Sequence, residues 1–222
     1  GPDGLDFLAE VISTPKPEQE AFEIDLDGNI GNGKAQILLQ YLNEKKEKGI
    51  YLGLNAALGR RGIRMKLFPE NPTLVYRPFQ LNERNYIYLA DRGRIFGDVR
   101  LFDEQGTGIH FYTNREDTIA DQEMTVELSR IDLKQFKKVL PYLPDVEGWL
   151  GASLHYVDSE GKMMLSGDVR VDDFVYEKSP LGNWEMSGVY LPGDAGKHYV
   201  DGFLMHNEQE IVYMNGIYQA DA

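Results

Sequence analysis

Residues 28–34 read GNIGNGK, the spacing of a phosphate-binding loop. Such a loop holds phosphates with backbone N–H groups and a lysine, and holds Mg²⁺ with a following Ser or Thr. Here Ala35 follows, so the metal ligand is missing. No βαβ pattern surrounds the run, and no apolar strand ends in the Asp of a second nucleotide motif. The run reads as a plain Gly-Asn turn. Asp25, Asp27 and Asn29 stand at calcium-loop spacing, but Ile30 replaces the required Gly and Gln36 the required Glu. His198 and His206 are expected on opposite sides of a hairpin, as cross-strand neighbours. They lack the third ligand that zinc wants. His110 and His155 alternate with apolar residues and read as solvent-side strand positions.

No Gly-x-Ser-x-Gly elbow is present. Asp98, Asp172 and Asp173 come nearest to an acid pair for glycoside cleavage. Acidic residues on the wet face of strands are the ordinary explanation for them. No convergent catalytic set emerges, so the chain is expected to be non-catalytic, without metal or cofactor. Trp149, Trp184, Tyr156, Tyr176 and Tyr190 suit a sugar-stacking platform, or the core and surface of a sheet.

Composition narrows the classes further. The 222 residues include 23 Gly and 13 Tyr, a mixture that suits turns and half-buried strands. The net charge of −13 argues against a nucleic-acid partner and against adhesion to anionic headgroups. It leaves open an apolar groove for acyl chains. With no Cys there is no disulfide, thiolate metal site or Cys nucleophile. No apolar run approaches the ~18 residues of a membrane span.

The elements that must position any site are mostly strands. Residues 1–21, with Pro2, Pro15 and Pro17, read as a linker or leading edge strand. Phe22–Leu26 alternates apolar and acidic residues, which predicts a strand. Gln36–Leu42 reads as a buried strand with a charged turn at 43–49, or as part of a short helix. Gly62–Phe68 alternates again, before Pro69 and Pro72. Several strands follow over 74–128. One helix is expected over Asp132–Leu143, from Leu133, Phe136, Val139, Leu140 and Leu143, closed by Pro141 and Pro144. The domain reading is a first β segment over 22–131, a helical spacer over 132–147 and a second β segment over 148–222.

An internal repeat organises the chain. Gly93–Gly106 reads GRIFGDVRLFDEQG and Gly148–Gly161 reads GWLGASLHYVDSEG. Ile95, Gly97, Val99 and Leu101 match Leu150, Ala152, Leu154 and Tyr156 in register. A returning strand follows each unit, over 108–113 and 162–174. In 163–176 one parity is apolar (Met163, Leu165, Val169, Val171) and the other carries Ser166, Asp168, Arg170 and Asp172. That predicts a sheet with one apolar and one wet face.

Three runs, GWLGASLHY (148–156), GDVRVDDFVYEKSPLGNWEMSGVY (167–190) and MNGIY (214–218), resemble the TamB family of AsmA-like, bridge-type lipid-transfer proteins, in the form found in Bacteroidetes. The resemblance covers roughly residues 74–218 and is one of repeat texture. The N-terminal membrane anchor and the extreme C-terminal region of that family have no counterpart in these 222 residues.

The resemblance implies an all-β fold of repeated antiparallel hairpins, forming an elongated curved sheet or open trough. A β-sandwich is the alternative. It implies a periplasmic protein tethered to the inner membrane by a segment outside these residues. It further implies phospholipid transfer between membranes, or outer-membrane protein assembly beside a β-barrel partner, and no active site. Acyl chains would lie on Ile95, Val99, Leu101, Leu150, Leu154, Leu165, Val169 and Val171, which share the repeat's parity. The alternative function is a carbohydrate-binding or adhesin-type module of the cell envelope.

Overall fold

A computed structural model describes residues 4–13, 21–114, 121–140, 143–193 and 196–219. It is almost entirely β, with every strand pairing antiparallel. The chain forms two compact units, residues 1–105 with 135–143, and residues 106–134 with 144–222.

The first unit is a meander. Strands β1 (Gly4–Ile12), β2 (Phe22–Gly31), β3 (Lys34–Asn43), β4 (Lys48–Gly59) and β5 (Gly62–Leu74) pair in order. Next come β6 (Arg77–Pro78) and β7 (Gln80–Leu81), then β8 (Tyr86–Ala90) and β9 (Ile95–Phe102). β8 lies between β5 and β9, while β6 pairs with β5 and β7 with β9. The expected leading edge is therefore β1; Pro2, Pro15 and Pro17 lie outside the described residues. The ambiguous stretch after Gly33 is strand β3, with its turn at 44–47.

The phosphate-loop spacing belongs to the β2–β3 hairpin. Asn32 and Gly33 take φ of 51° and 71°, as a two-residue hairpin turn requires. Gly28 sits beneath the Phe7 ring, where a Cβ would come within 2.0 Å of Phe7 Cζ.

The core of this unit is built by the strands from β5 to β9. Phe79, Leu81, Phe96, Val99 and Leu101 are buried, and Pro72 is wholly enclosed. The buried Asn85 accepts a hydrogen bond from Leu67 N–H and donates to the carbonyls of Leu67 and Asn82. Those bonds satisfy its side chain and fix the start of β8 against β5. Arg77 pairs with the buried Asp103 at 2.8 Å and donates to Gln105 at 2.6 Å, pinning the turn of the first repeat.

The second unit is a simpler meander of β10 (Gly108–Thr113), β11 (Gln122–Asp132), β12 (Val146–Ser159), β13 (Lys162–Tyr176), β14 (Ser179–Pro192), β15 (Lys197–His206) and β16 (Gln209–Gln219), paired in that order. Neither unit closes into a barrel or carries a second sheet, so the expected all-β, antiparallel class holds in its open form.

The repeat's boundaries share one backbone feature. Gly93 and Gly106 have φ of 76° and 77°, and Gly148 and Gly161 have 132° and 74°. All four occupy the region that glycine enters without a Cβ clash.

The expected helix is cut to one turn. α1 spans only Leu133–Phe136, because β11 continues to Asp132. A bulge there, with Arg130 at φ 49°, lets Ile131 pair with Leu150 and Asp132 with Trp149. Val139 lies in the turn that follows and is buried in the first unit. Pro141 lies outside the described residues.

Candidate functional site

Opposed residues in an antiparallel pair share a face, so register alone sorts the side chains of the second unit. One row runs Ile109, Leu128, Ala152, Val169, Met186, Leu204, Val212 across seven strands. The next runs Phe111, Val126, Leu154, Gly167, Gly188, Gly202, Met214. The third runs Thr113, Met124, Tyr156, Leu165, Tyr190, Val200, Gly216. No charged residue interrupts these three rows.

The opposite face is wet. Its rows include His110, Glu127, Ser153, Asp168 and Ser187, and beside them Thr125, His155, Ser166, Asp201 and Asn215. His155 Nδ1 lies 2.9 Å from Thr125 Oγ1, and Tyr112 donates to Glu127 at 3.1 Å. Arg170 Nε donates to Asp172 at 2.7 Å.

Nothing covers the apolar face among the described residues. No residue of β13, β14, β15 or β16 is buried. Leu154 and Leu165 are each 45% exposed, Met186 53% and Met214 56%. Apolar side chains gathered this way on an exposed face mark a place where something apolar binds.

The face has relief as well as chemistry. Gly167, Gly188 and Gly202 stand side by side and leave the middle row without side chains on three consecutive strands. Val169, Met186 and Leu204 wall one side of this trench, and Leu165, Tyr190 and Val200 the other. Leu154 leans over its end, since a Cβ on Gly167 would meet Leu154 Cδ2 at 2.6 Å. Together they outline an open hollow of 460 Å³, reaching to Val212 and Met214. It spans four strand spacings of about 4.8 Å each, about 19 Å in all, and runs across the strands.

The first unit has two hollows of 610 and 740 Å³ with mixed linings. Phe7, Leu8, Leu38 and Phe68 stand beside Asp6 and Asp27 in one; Ala56 and Met65 stand beside Arg64, Lys66 and Glu83 in the other.

Leu150, Leu154, Leu165, Val169 and Val171, expected as groove residues, lie on the one apolar face of the second unit. Ile95, Val99 and Leu101 belong to the first unit, where Ile95 is half-buried and Val99 and Leu101 are buried at 7% and 4% exposure. Sequence reasoning missed the contributions of β14, β15 and β16, and the glycine trench itself. The available signal was one mid-strand glycine in each of four successive strands: Gly167, Gly188, Gly202 and Gly216.

The other candidates separate. His198 and His206 are not cross-strand neighbours but lie on one strand, β15. His198 Nδ1 meets Tyr190 Oη at 2.7 Å, and His206 stacks on Trp184 at 4.5 Å between centroids. Trp149 is paired with Asp172 and Trp184 with Val171, so the two indoles occupy opposite faces. Asp98 lies on β9 and Asp172 on β13, in different units. Glu10, Glu23 and Asp25 approach one another at the outer strands of the first unit, and Lys46 forms an ion pair with Glu23.

The fold and face define an open, antiparallel single-layer β protein whose second unit carries an uncovered apolar face. Compared with family models, curated proteins and solved structures, the chain matches none.

Proposed function

We propose that the chain is a non-catalytic part of a TamB-like cell-envelope protein, and that the apolar face of its second unit receives phospholipid acyl chains. The role is a periplasmic one, in lipid transfer between membranes or in outer-membrane protein assembly beside a β-barrel partner. The observation that carries this reading is the glycine-floored trench in three uncharged rows.

An acyl chain leaving a bilayer exposes apolar area worth about 0.8 kcal/mol per methylene. A trench of Leu, Val and Met side chains offsets that cost through contacts without direction. Such contacts discriminate little among lipids. The wet face and the net charge of −13 keep the sheet in solution.

The test uses a phosphatidylcholine whose acyl chain carries a photoactivatable group. Val169→Asp places a charge among the apolar rows and is expected to abolish labelling. Arg170→Asp, one residue on and facing the other way, is expected to leave it unchanged. Gly188→Leu fills the trench at a position where a Cβ meets only the Asp201 carbonyl, at 3.5 Å, and is expected to cut labelling severalfold. Equal loss from Val169→Asp and Arg170→Asp would sink the reading.

A further inference from the structure

Strands β3, β4 and β5 lie inside the sheet of the first unit, each with a neighbour on both sides. Their register sets two polar rows side by side on one face. Lys34, Ala57 and Arg64 form the first, and Asn29, Gln36, Asn55 and Lys66 the second. The turn before β8 brings Glu83 and Arg84 to the same place, because Asn85 is bonded to Leu67 of β5. All of these residues line the 740 Å³ hollow.

The charge of this hollow runs against that of the chain. Lys34, Arg64, Lys66 and Arg84 stand around it with one acid, Glu83, a local excess of three positive charges. The whole chain carries 36 acids and a net charge of −13. Yet among the described residues no carboxylate pairs with any of the four cations, all of which are exposed. The Arg64 guanidinium lies over the Tyr86 ring, 4.7 Å from its centroid. Gln36 lies two residues from Lys34, and Asn55 stands opposite Lys66. Their side-chain amides have no partner among the described residues either.

These features limit the ligand. An excess of three charges exceeds the roughly −1.5 to −2 of one phosphate monoester and matches two. The amides of Gln36 and Asn55 both donate and accept, which suits hydroxyl groups. A nucleic-acid backbone would run on into Asp6 and Asp27, on the same face beyond Asn29 and Gln36. We propose that this hollow binds a polyol carrying two phosphate groups, free or as the headgroup of a lipid. Arg64 and Arg84 take the phosphates with their planar forks, and Lys34 and Lys66 add point charges. Gln36 and Asn55 hold the hydroxyls between them. The proposal stands apart from the acyl-chain reading, since it uses polar side chains of the other unit.

Titration calorimetry of the 222-residue chain with fructose 1,6-bisphosphate tests it. Sedimentation with phosphatidylcholine vesicles, with and without phosphatidylinositol 4-phosphate, runs beside it. The expected result is one saturable site for at least one of the two phosphate probes. Lys34→Gln with Lys66→Gln is expected to weaken binding about tenfold, the effect of two exposed ion pairs. Lys162→Gln with Lys197→Gln, at exposed lysines of the second unit, changes the net charge equally and is expected to leave binding unchanged. Binding of the sugar assigns a free ligand, and binding of the vesicle alone a headgroup. The wild-type chain supplies a check that no folding defect can imitate, for its affinity is expected to fall as salt rises. No saturable binding, equal loss from the two lysine pairs, or an affinity indifferent to salt overturns the proposal. So does tighter binding of a hexaglutamate peptide, which would assign the hollow to an acidic protein segment.

Discussion

The two units treat one strand repeat in opposite ways. Each carries one copy of the glycine-bounded repeat, β9 in the first and β12 in the second. In the first unit Val99 and Leu101 sink into a core with Phe79, Leu81 and Phe96. In the second, Leu154 stays 45% exposed, and every buried hydrophobic residue among those described belongs to the first unit. A repeat with one apolar parity thus becomes a core where other side chains cover it and an open face where none do. The second unit depends on cross-strand pairs, each worth roughly 0.2–1 kcal/mol, while the first adds true burial.

That contrast can be broken by truncating one leucine in each unit. Leu101→Ala leaves a cavity in the first unit and is expected to cost about 3 kcal/mol in urea unfolding. Leu165→Ala, at 45% exposure, is expected to cost less than about 1 kcal/mol. Similar costs would mean that the face of the second unit is covered in solution.

A smaller effect sharpens the same difference. Asn85→Ala strands the Leu67 N–H and the carbonyls it serves, and is expected to cost about 1–3 kcal/mol. Asn215→Ala, on the exposed edge of the second unit, is expected to leave the unfolding midpoint unchanged.

The smallest effect is one of pH. The phenol of Tyr213 is held above its ordinary value of 10.0, chiefly by the charge of Asp201 and then by their hydrogen bond. Folding therefore favours the protonated ring. The contribution is complete below the unfolded value and is lost as pH rises through the higher folded one. The difference in urea midpoint between wild type and Tyr213→Phe should be flat below about pH 9 and shift above about pH 10. A difference that does not change with pH would remove Asp201 as the cause.

Much of this was legible in the chain. The alternation over 163–176 predicted strand β13 and its two faces, since successive side chains of a strand must point opposite ways. The glycines of the repeat predicted strand limits, and all four prove to have positive φ. Asn32 and Gly33 announced a turn where the phosphate-loop spacing suggested a site. The expected helix is cut short, although Leu133, Phe136 and Val139 keep a helical period, because the β11–β12 pairing beyond the Arg130 bulge claims the residues up to Asp132. His198 and His206 share one strand because the β15–β16 turn falls at Asn207 and Glu208, after both of them.

What the sequence determined by itself was the strand class, the turns and the apolar parity of each strand, because these depend on neighbours two to four residues away. The tertiary structure decided the rest. Register brought Gly167, Gly188 and Gly202 abreast to make a trench, and no local pattern specifies which residues of different strands stand opposite. The placing of β6, β7 and residues 135–143 within the first unit gave that unit its core, whereas β13 to β16 kept both faces open. Whether an apolar face becomes a core or a surface depends on what the chain lays over it, and that is a non-local choice.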